Sequence, residues 1–268
     1  MRRWRWLLSL FVVILISSGI CQGQTQMEEL DLVGPVKSLS YPSKEDKKPY
    51  VITFYKDGMS YSEHPKGAQH WEIRDEKGRE LWSKDVDPAL DEGEIEWKSE
   101  YDEKAKTYKS WKITPTETYI RSVGTLNAQG QIVKKQFVRF PEMKWIYEYD
   151  LEGRMKESIM WDDTKIYLCR KSEYFYGTSR KEDSIKGYFW NSRLNDWEID
   201  FEDRYEYDEN ERIRERVRIR YVKNEPISSN RETILYQDFD SHGNWTKRTT
   251  KSEGKAPQIK VREITYYE

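Results

Sequence analysis

Five arginines at every second position, Arg212, Arg214, Arg216, Arg218 and Arg220, are the strongest chemical signal in the sequence. On an extended strand such a row stands on one face with guanidiniums about 6.8 Å apart, a spacing that suits phosphates, sulfated glycans or an acidic polysaccharide. The preceding segment offers a competing use. Asp196, Glu198, Asp200, Glu202 and Glu206 share one parity, and a hairpin turn centred on 209–211 sets Asp208 opposite Arg212 and Glu206 opposite Arg214. The same register sets Glu202 opposite Arg218 and Asp200 opposite Arg220. Opposite charges across strands contribute about 0.2–1 kcal/mol per pair and pin the register. A charge ladder is therefore the leading reading and an anion site the alternative. Arg204 opposite Arg216 is the like-charge exception in this scheme.

Other chemistry is sparse. The histidines are three, His64, His70 and His242. His64 and His70 flank the stretch 65–69, and a metal there would need Glu63 or a carboxylate from another strand, at a spacing wider than zinc sites use. No G-x-S-x-G elbow, phosphate-binding glycine loop or H-E-x-x-H segment is present. The 48 acidic residues offer so many carboxylate pairs that glycan hydrolysis has no specific address. Hence no catalytic residue, metal ligand or cofactor is expected. Cys169, in Ile166-Tyr167-Leu168-Cys169, reads as a buried, inert thiol.

These side chains must be held by strands. Asp75 to Gly78, Asn127 to Gly130, Asp150 to Gly153 and Asp240 to Gly243 repeat one pattern, and Asp102–Lys106 and Asp208–Arg212 are degenerate copies. Asp or Asn opens a type I turn because its side chain caps the turn's own amides. Gly three residues on accepts positive φ and closes the loop with a bulge. Ala105 and Glu211, standing where Gly does, incur about 1 kcal/mol if they take that conformation; at the second copy Asn210 is the alternative left-handed residue. Asp57-Gly58 reads as a separate tight hairpin. Aromatics at alternate positions, as in Tyr147-Glu148-Tyr149 and Tyr205-Glu206-Tyr207, mark one face of a strand. The Asp150–Gly153 turn sets Trp145 opposite Ile159 and Tyr149 opposite Met155. No helical apolar stripe appears. The expected fold is all-β: an antiparallel β-hairpin array or meander forming a curved sheet or partial barrel. Hairpins are expected near 71–82, 98–108, 124–134, 145–161, 197–221 and 234–250, with a further decayed copy near Tyr174-Phe175-Tyr176-Gly177.

Tyr-x-Tyr-Asp-x-x-Gly-Arg at 147–154, its echo at 205–212, and the run 239–248 resemble YD repeats of the RHS-type family. The opening Leu32-Val33-Gly34-Pro35-Val36 is similar to the start of small secreted bacterial members. The resemblance implies hairpin arrays at or beyond the cell envelope and says little about activity.

Arg2, Arg3 and Arg5 precede the apolar run Leu7 to Ile16 and small residues, the pattern of a signal peptide over residues 1–23. The apolar run is too short for a comfortable membrane span. Cleavage after Gly19 or Gly23 both fit, and Cys21 offers lipid anchoring as the alternative. Residues 24–268 are then a single YD-repeat-like domain with no transmembrane helix. The formal charge of −2 becomes −5 without the three leader arginines, which disfavours nucleic acid. Nine tryptophans remain, from Trp71 to Trp245; they read first as core and second as sugar-stacking rings. The expected function is a periplasmic or extracellular binding or structural protein, with a glycan or an envelope protein as partner. The alternatives are a glycan-directed hydrolase and an anion binder using the arginine row.

Overall fold

Each reversal of the chain throws the next strand back beside the last, and the described part of the chain is built this way. In the computed structural model, which describes residues 30, 32, 34–42, 48–55, 59–89, 93–164, 169–177 and 181–267, every element is a strand. The first are β1 (Val36–Tyr41), β2 (Tyr50–Phe54), β3 (Met59–Glu63), β4 (Gln69–Arg74), β5 (Glu80–Val86) and β6 (Glu94–Asp102). Then come β7 (Thr107–Ile113), β8 (Thr118–Leu126), β9 (Ile132–Phe137), β10 (Met143–Tyr149), β11 (Met155–Asp162) and β12 (Arg170–Tyr176). The last are β13 (Glu182–Asn191), β14 (Asp196–Tyr207), β15 (Ile213–Val222), β16 (Glu225–Phe239), β17 (Trp245–Ser252), β18 (Gln258–Val261) and β19 (Glu263–Tyr266). The leader-like residues 1–23 with Cys21, and Asp57-Gly58 between β2 and β3, lie outside the described residues.

Strands pair antiparallel with their sequence neighbours from β1 through β18, and β19 returns to pair with β1. The sheet is thus a nearly closed, barrel-like meander. Closure runs through one C-terminal stretch: β18 pairs with β17 over Gln258–Val261, and β19 pairs with β1 over Glu263–Tyr266. Arg262 is the crossover. Its amide donates to the Thr246 carbonyl at 2.8 Å, and its guanidinium, 1% exposed, lies 3.6 Å from the Trp245 ring centroid. That guanidinium donates to the Trp245 and Leu30 carbonyls.

A single layer can bury a face only against itself, so the sheet curls with its natural twist. Paired residues share a face, and ladder pairing traces one inner face through Ser60, Glu72 and Ser83 to Ser99, Ser110 and Ser122, all buried. Small residues there let the curled walls approach. At Gly124 an added Cβ would run into the Lys134 carbonyl. Tyr108, Leu126 and Ile132 with Tyr101 and Tyr147 fill the inside between these walls, and Leu32, Val36, Leu39, Ile52 and Phe54 fill it beside the closing strand.

The Asp and Asn turns are hairpin tips along a single rim, at β4/β5, β8/β9, β10/β11, β14/β15 and β16/β17. In each, the first residue's amide donates to the carbonyl four residues on, and its side chain accepts that residue's amide: Asp75 from Arg79, Asn127 from Gln131, Asp150 from Arg154, Asp208 from Arg212 and Asp240 from Asn244. Gly78, Gly130, Gly153 and Gly243 all have positive φ. Tip joins tip. Tyr101, Tyr149, Tyr176 and Tyr207, each at the end of an ascending strand, donate their hydroxyls to the carbonyls of Glu80, Ile132, Met155 and Glu182 at the start of the preceding hairpin's descending strand. Arg79 and Arg154 lie over the rings of Tyr101 and Tyr176, at 4.2 and 4.5 Å. The tyrosine–aspartate dipeptide therefore does two jobs: Asp shapes its own turn, and Tyr ties that turn to the hairpin before it.

Five pairings expected from the sequence fail here for one reason. One pair beyond the tip, the descending strands β5, β9, β11 and β15 carry a bulge, so Tyr149 faces Met155 but Trp145 faces Met160 rather than Ile159. The same bulge sets Tyr207 opposite Ile213, so Glu206 faces Glu215 rather than Arg214, Arg204 faces Val217 rather than Arg216, Asp203 rather than Glu202 faces Arg218, and Phe201 rather than Asp200 faces Arg220. A bulge adds one residue to one strand and changes which face later residues share. The expected further copy near Tyr174–Gly177 is the β12/β13 hairpin, with the same bulge. Of the two degenerate turns, one keeps the expected left-handed position and one moves it. Glu211 itself takes the left-handed position at φ 56, and at the other degenerate copy Lys106, not Ala105, does so, because Asp102 pairs directly with Thr107 across a four-residue loop.

Candidate functional site

Four neighbouring strands, β11 to β14, bring the best-developed polar and aromatic cluster together on the outer face. Ladder pairing sets Glu157 opposite Glu173 and Ile159 opposite Lys171, then Lys171 opposite Tyr188, and Trp190 opposite Trp197. Trp161, Trp190 and Trp197 form a mutual edge-to-face trio with centroids 5.3–6.1 Å apart, the arrangement that ring quadrupoles favour. Lys171 is the hub. Its ammonium lies 2.8 Å from Glu173 and 3.9 Å from Glu157, and 4.5 and 5.8 Å from the Tyr188 and Trp197 ring centroids. The Tyr188 hydroxyl donates to Glu173 at 2.7 Å.

The two carboxyls are driven apart. Burial raises Glu157 above the usual carboxylate range against the pull of Lys171. Burial pushes Glu173 the same way, but hydrogen bonds from Lys171 and Tyr188 outweigh it and lower that group. Burial, then the bond to Glu173, holds the Tyr188 phenol above its ordinary value. Sequence reasoning missed this cluster, because its members come from four strands; Tyr188 and Trp190 two residues apart, and Trp197 between Asp196 and Glu198, were the available signal.

The arginine row follows the charge-ladder expectation at Arg212, Arg214 and Arg220 and departs from it at Arg218, which takes Asp203 in place of Glu202. Arg216, Arg218 and Arg220 share the inner face with Phe201, Asp203 and Tyr205. Asp203, 3% exposed, accepts from both Arg216, at 3.1 Å, and Arg218. These bonds hold its carboxyl below the usual range despite burial. Arg212 reaches Asp208 at 3.3 Å, Arg214 reaches Glu206 at 2.7 Å, and Arg220 reaches Asp200 at 3.7 Å. Every arginine of the row has a carboxylate, and Glu202 instead takes Arg204 and Tyr221.

On the inner face of β4 and β5, His70 Nδ1 lies 2.5 Å from Asp85, and Nε2 lies 3.9 Å from Glu72, which also binds Arg74. His64 is elsewhere, in the β3/β4 loop with its Nδ1 accepting from the Lys66 amide, and Glu63 accepts from Tyr61. No group of three or more metal-ligating side chains forms among the described residues. His242 stacks on Tyr266, centroids 3.9 Å apart. Cys169 is buried against Asp162. Trp245 is buried and the other eight tryptophans are half-buried.

No family model matches the sequence, and no curated protein matches it. Among solved structures the chain is similar to a porin-like protein from Bacteroides uniformis ATCC 8492, at 12% identity over 88% of this chain and 99% of that one, with a TM-score of 0.46. It is also similar to a porin-like protein from Bacteroides vulgatus ATCC 8482, at 11% identity over 87% of this chain and 98% of that one, with a TM-score of 0.29. Both scores lie below 0.5, and nothing about this chain's activity or placement follows from them.

Proposed function

We propose that this is an exported glycan-binding protein of the YD-repeat type, which holds its ligand on the outer face over Trp161, Trp190, Trp197 and Tyr188. The observation that carries this reading is the tryptophan trio set beside Lys171, Glu157 and Glu173. Flat rings cover the apolar face of a sugar, and the flanking lysine and carboxylates meet its hydroxyls. The leader-like residues 1–23 support export.

The strands favour water over lipid on both sides. Lys186 and Glu202 stand mid-strand on the outer face, and Asp203, Arg216 and Arg218 on the inner. A lipid-facing band is apolar, and each Lys or Arg at its midplane costs about 2–4 kcal/mol. The protein accordingly works in the periplasm or outside the cell.

Glycan-array screening followed by titration of the retained sugar tests the assignment. Trp197→Ala and Tyr188→Ala should each weaken binding at least tenfold without altering the circular dichroism spectrum. Undiminished binding by both variants, or no glycan retained by the intact protein, overturns it. A second reading, glycoside hydrolysis, rests on the opposite shifts of Glu157 and Glu173, the signature of an acid and a base sharing a site. The pair sits on an open face rather than in a cleft, which favours holding over cleaving.

A further inference from the structure

One place on the inner face sets two unpaired cations side by side next to buried N–H donors that meet no acceptor. Arg248 on β17 and Lys260 on β18 are direct cross-strand partners, a like-charge pair that opposes sheet formation. Among the described residues neither has an ion-pair or hydrogen-bond partner, and the Arg248 Nε–H is buried without an acceptor. Beside them Trp245, 3% exposed, also buries its indole N–H without an acceptor. The Arg248 guanidinium lies 5.2 Å from that ring's centroid, and the buried Arg262 guanidinium lies 3.6 Å from it.

The neighbours supply no negative charge. Tyr236 stands opposite Arg248 on β16, with Arg212 beyond it, 5.6 Å from the Tyr236 ring and already bound to Asp208. Glu232 on the same face lies four residues along β16 from Tyr236, about 13 Å away, where it accepts from Ser252. A buried N–H left without an acceptor keeps its full desolvation penalty, and two such donors beside two unneutralised cations are not a stabilising arrangement. Desolvation and the facing Arg248 both hold the Lys260 ammonium below its ordinary range, which is the strain an anion would relieve.

We propose that Arg248, Lys260 and the Trp245 indole N–H form a binding site for an oxyanion group, a carboxylate, sulfate or phosphate, on the inner face beside the closing strand. Its donors are a planar fork, a point charge and a fixed indole N–H, a set matched to a small oxygen-bearing anion. Lys260 is exposed, so the anion reaches the site from solvent. The site is separate from the outer-face tryptophans and from the arginine row, whose charges are already met.

The indole N–H resonance of Trp245, assigned through Trp245→Phe, reports on the site directly. Sodium sulfate, phosphate, acetate and a uronic-acid oligosaccharide are each titrated at constant ionic strength against sodium chloride. A saturable shift with at least one oxyanion and none with chloride is expected. Arg248→Gln and Lys260→Gln should each weaken that binding at least tenfold, while Lys109→Gln, an exposed lysine on β7, leaves it unchanged. A stronger response to the oligosaccharide than to free ions identifies an acidic glycan as the source; the reverse identifies a free anion. No saturable shift with any oxyanion, or equal affinity in Lys260→Gln, overturns the proposal. Because Lys260 is exposed, its variant decides the matter even if Arg248→Gln fails to fold.

Discussion

At the scale of single residues, this protein neutralises its charges locally. Asp203 joins two arginines, Lys171 joins two glutamates, and His70 lies between Asp85 and Glu72. Burial alone would lower the His70 pKa, but hydrogen bonds to Asp85 and Glu72 outweigh it and raise the group from 6.5 to about 9. A group raised on folding stabilises the folded state fully below its unfolded pKa, and the benefit fades as pH climbs through the folded one. The urea midpoint of the wild-type protein should therefore fall between pH 6.5 and about 9 by more than that of His70→Gln. Equal declines in the two proteins would contradict the assignment of charge to His70.

At the scale of elements, the hairpin tip is the repeated unit, and Glu211 is its weak copy. Its φ of 56 occupies a region where Gly78, Gly130, Gly153 and Gly243 sit at the equivalent step. A left-handed non-glycine residue costs roughly 1–2 kcal/mol, offset in part by the greater chain entropy of glycine when unfolded. Glu211→Gly should stabilise the protein by about 1 kcal/mol, read as a higher urea midpoint with an unchanged slope; a lower midpoint would refute the equivalence of the tips. These tips were legible in the sequence because an Asx turn is chemistry within five residues. What followed them was not. The bulge one pair past the tip costs no distinctive residue type, so Lys156 and Arg214 read as ordinary strand positions, and symmetric counting from the tip set Trp145 and Arg218 one place wrong. Counting with the bulge pairs His70 with Asp85 and Asp203 with Arg218, and both contacts then follow from the sequence. The outer cluster needed more, since Lys171 meets Glu157 and Tyr188 only when two successive hairpins lie in register.

At the scale of the whole molecule, closure decides which surfaces exist. A hairpin array left open would expose Ser60, Ser83, Ser99, Ser110 and Ser122 on a wet face, together with the Tyr108 and Tyr147 rings that fill the inside; curled upon itself, the sheet buries them. Strands run from four residues to fifteen, yet their registers return β19 to β1. The step at Arg262 is what lets one short strand serve both β17 and β1, and it is also what places Lys260 beside Arg248. Fold and the proposed anion site thus depend on the same joint.

That joint can be tested by covalent capture. Ser38 on β1 and Thr265 on β19 are cross-strand partners whose hydroxyl oxygens lie 2.7 Å apart, and the native Cys169 is buried. Ser38→Cys combined with Thr265→Cys should form an intramolecular disulfide under mild oxidation, seen as a reducible gain in electrophoretic mobility that neither single variant gives. Two thiols that remain fully reactive after oxidation, in a protein with an unchanged β-sheet spectrum, would mean that the first and last strands do not meet.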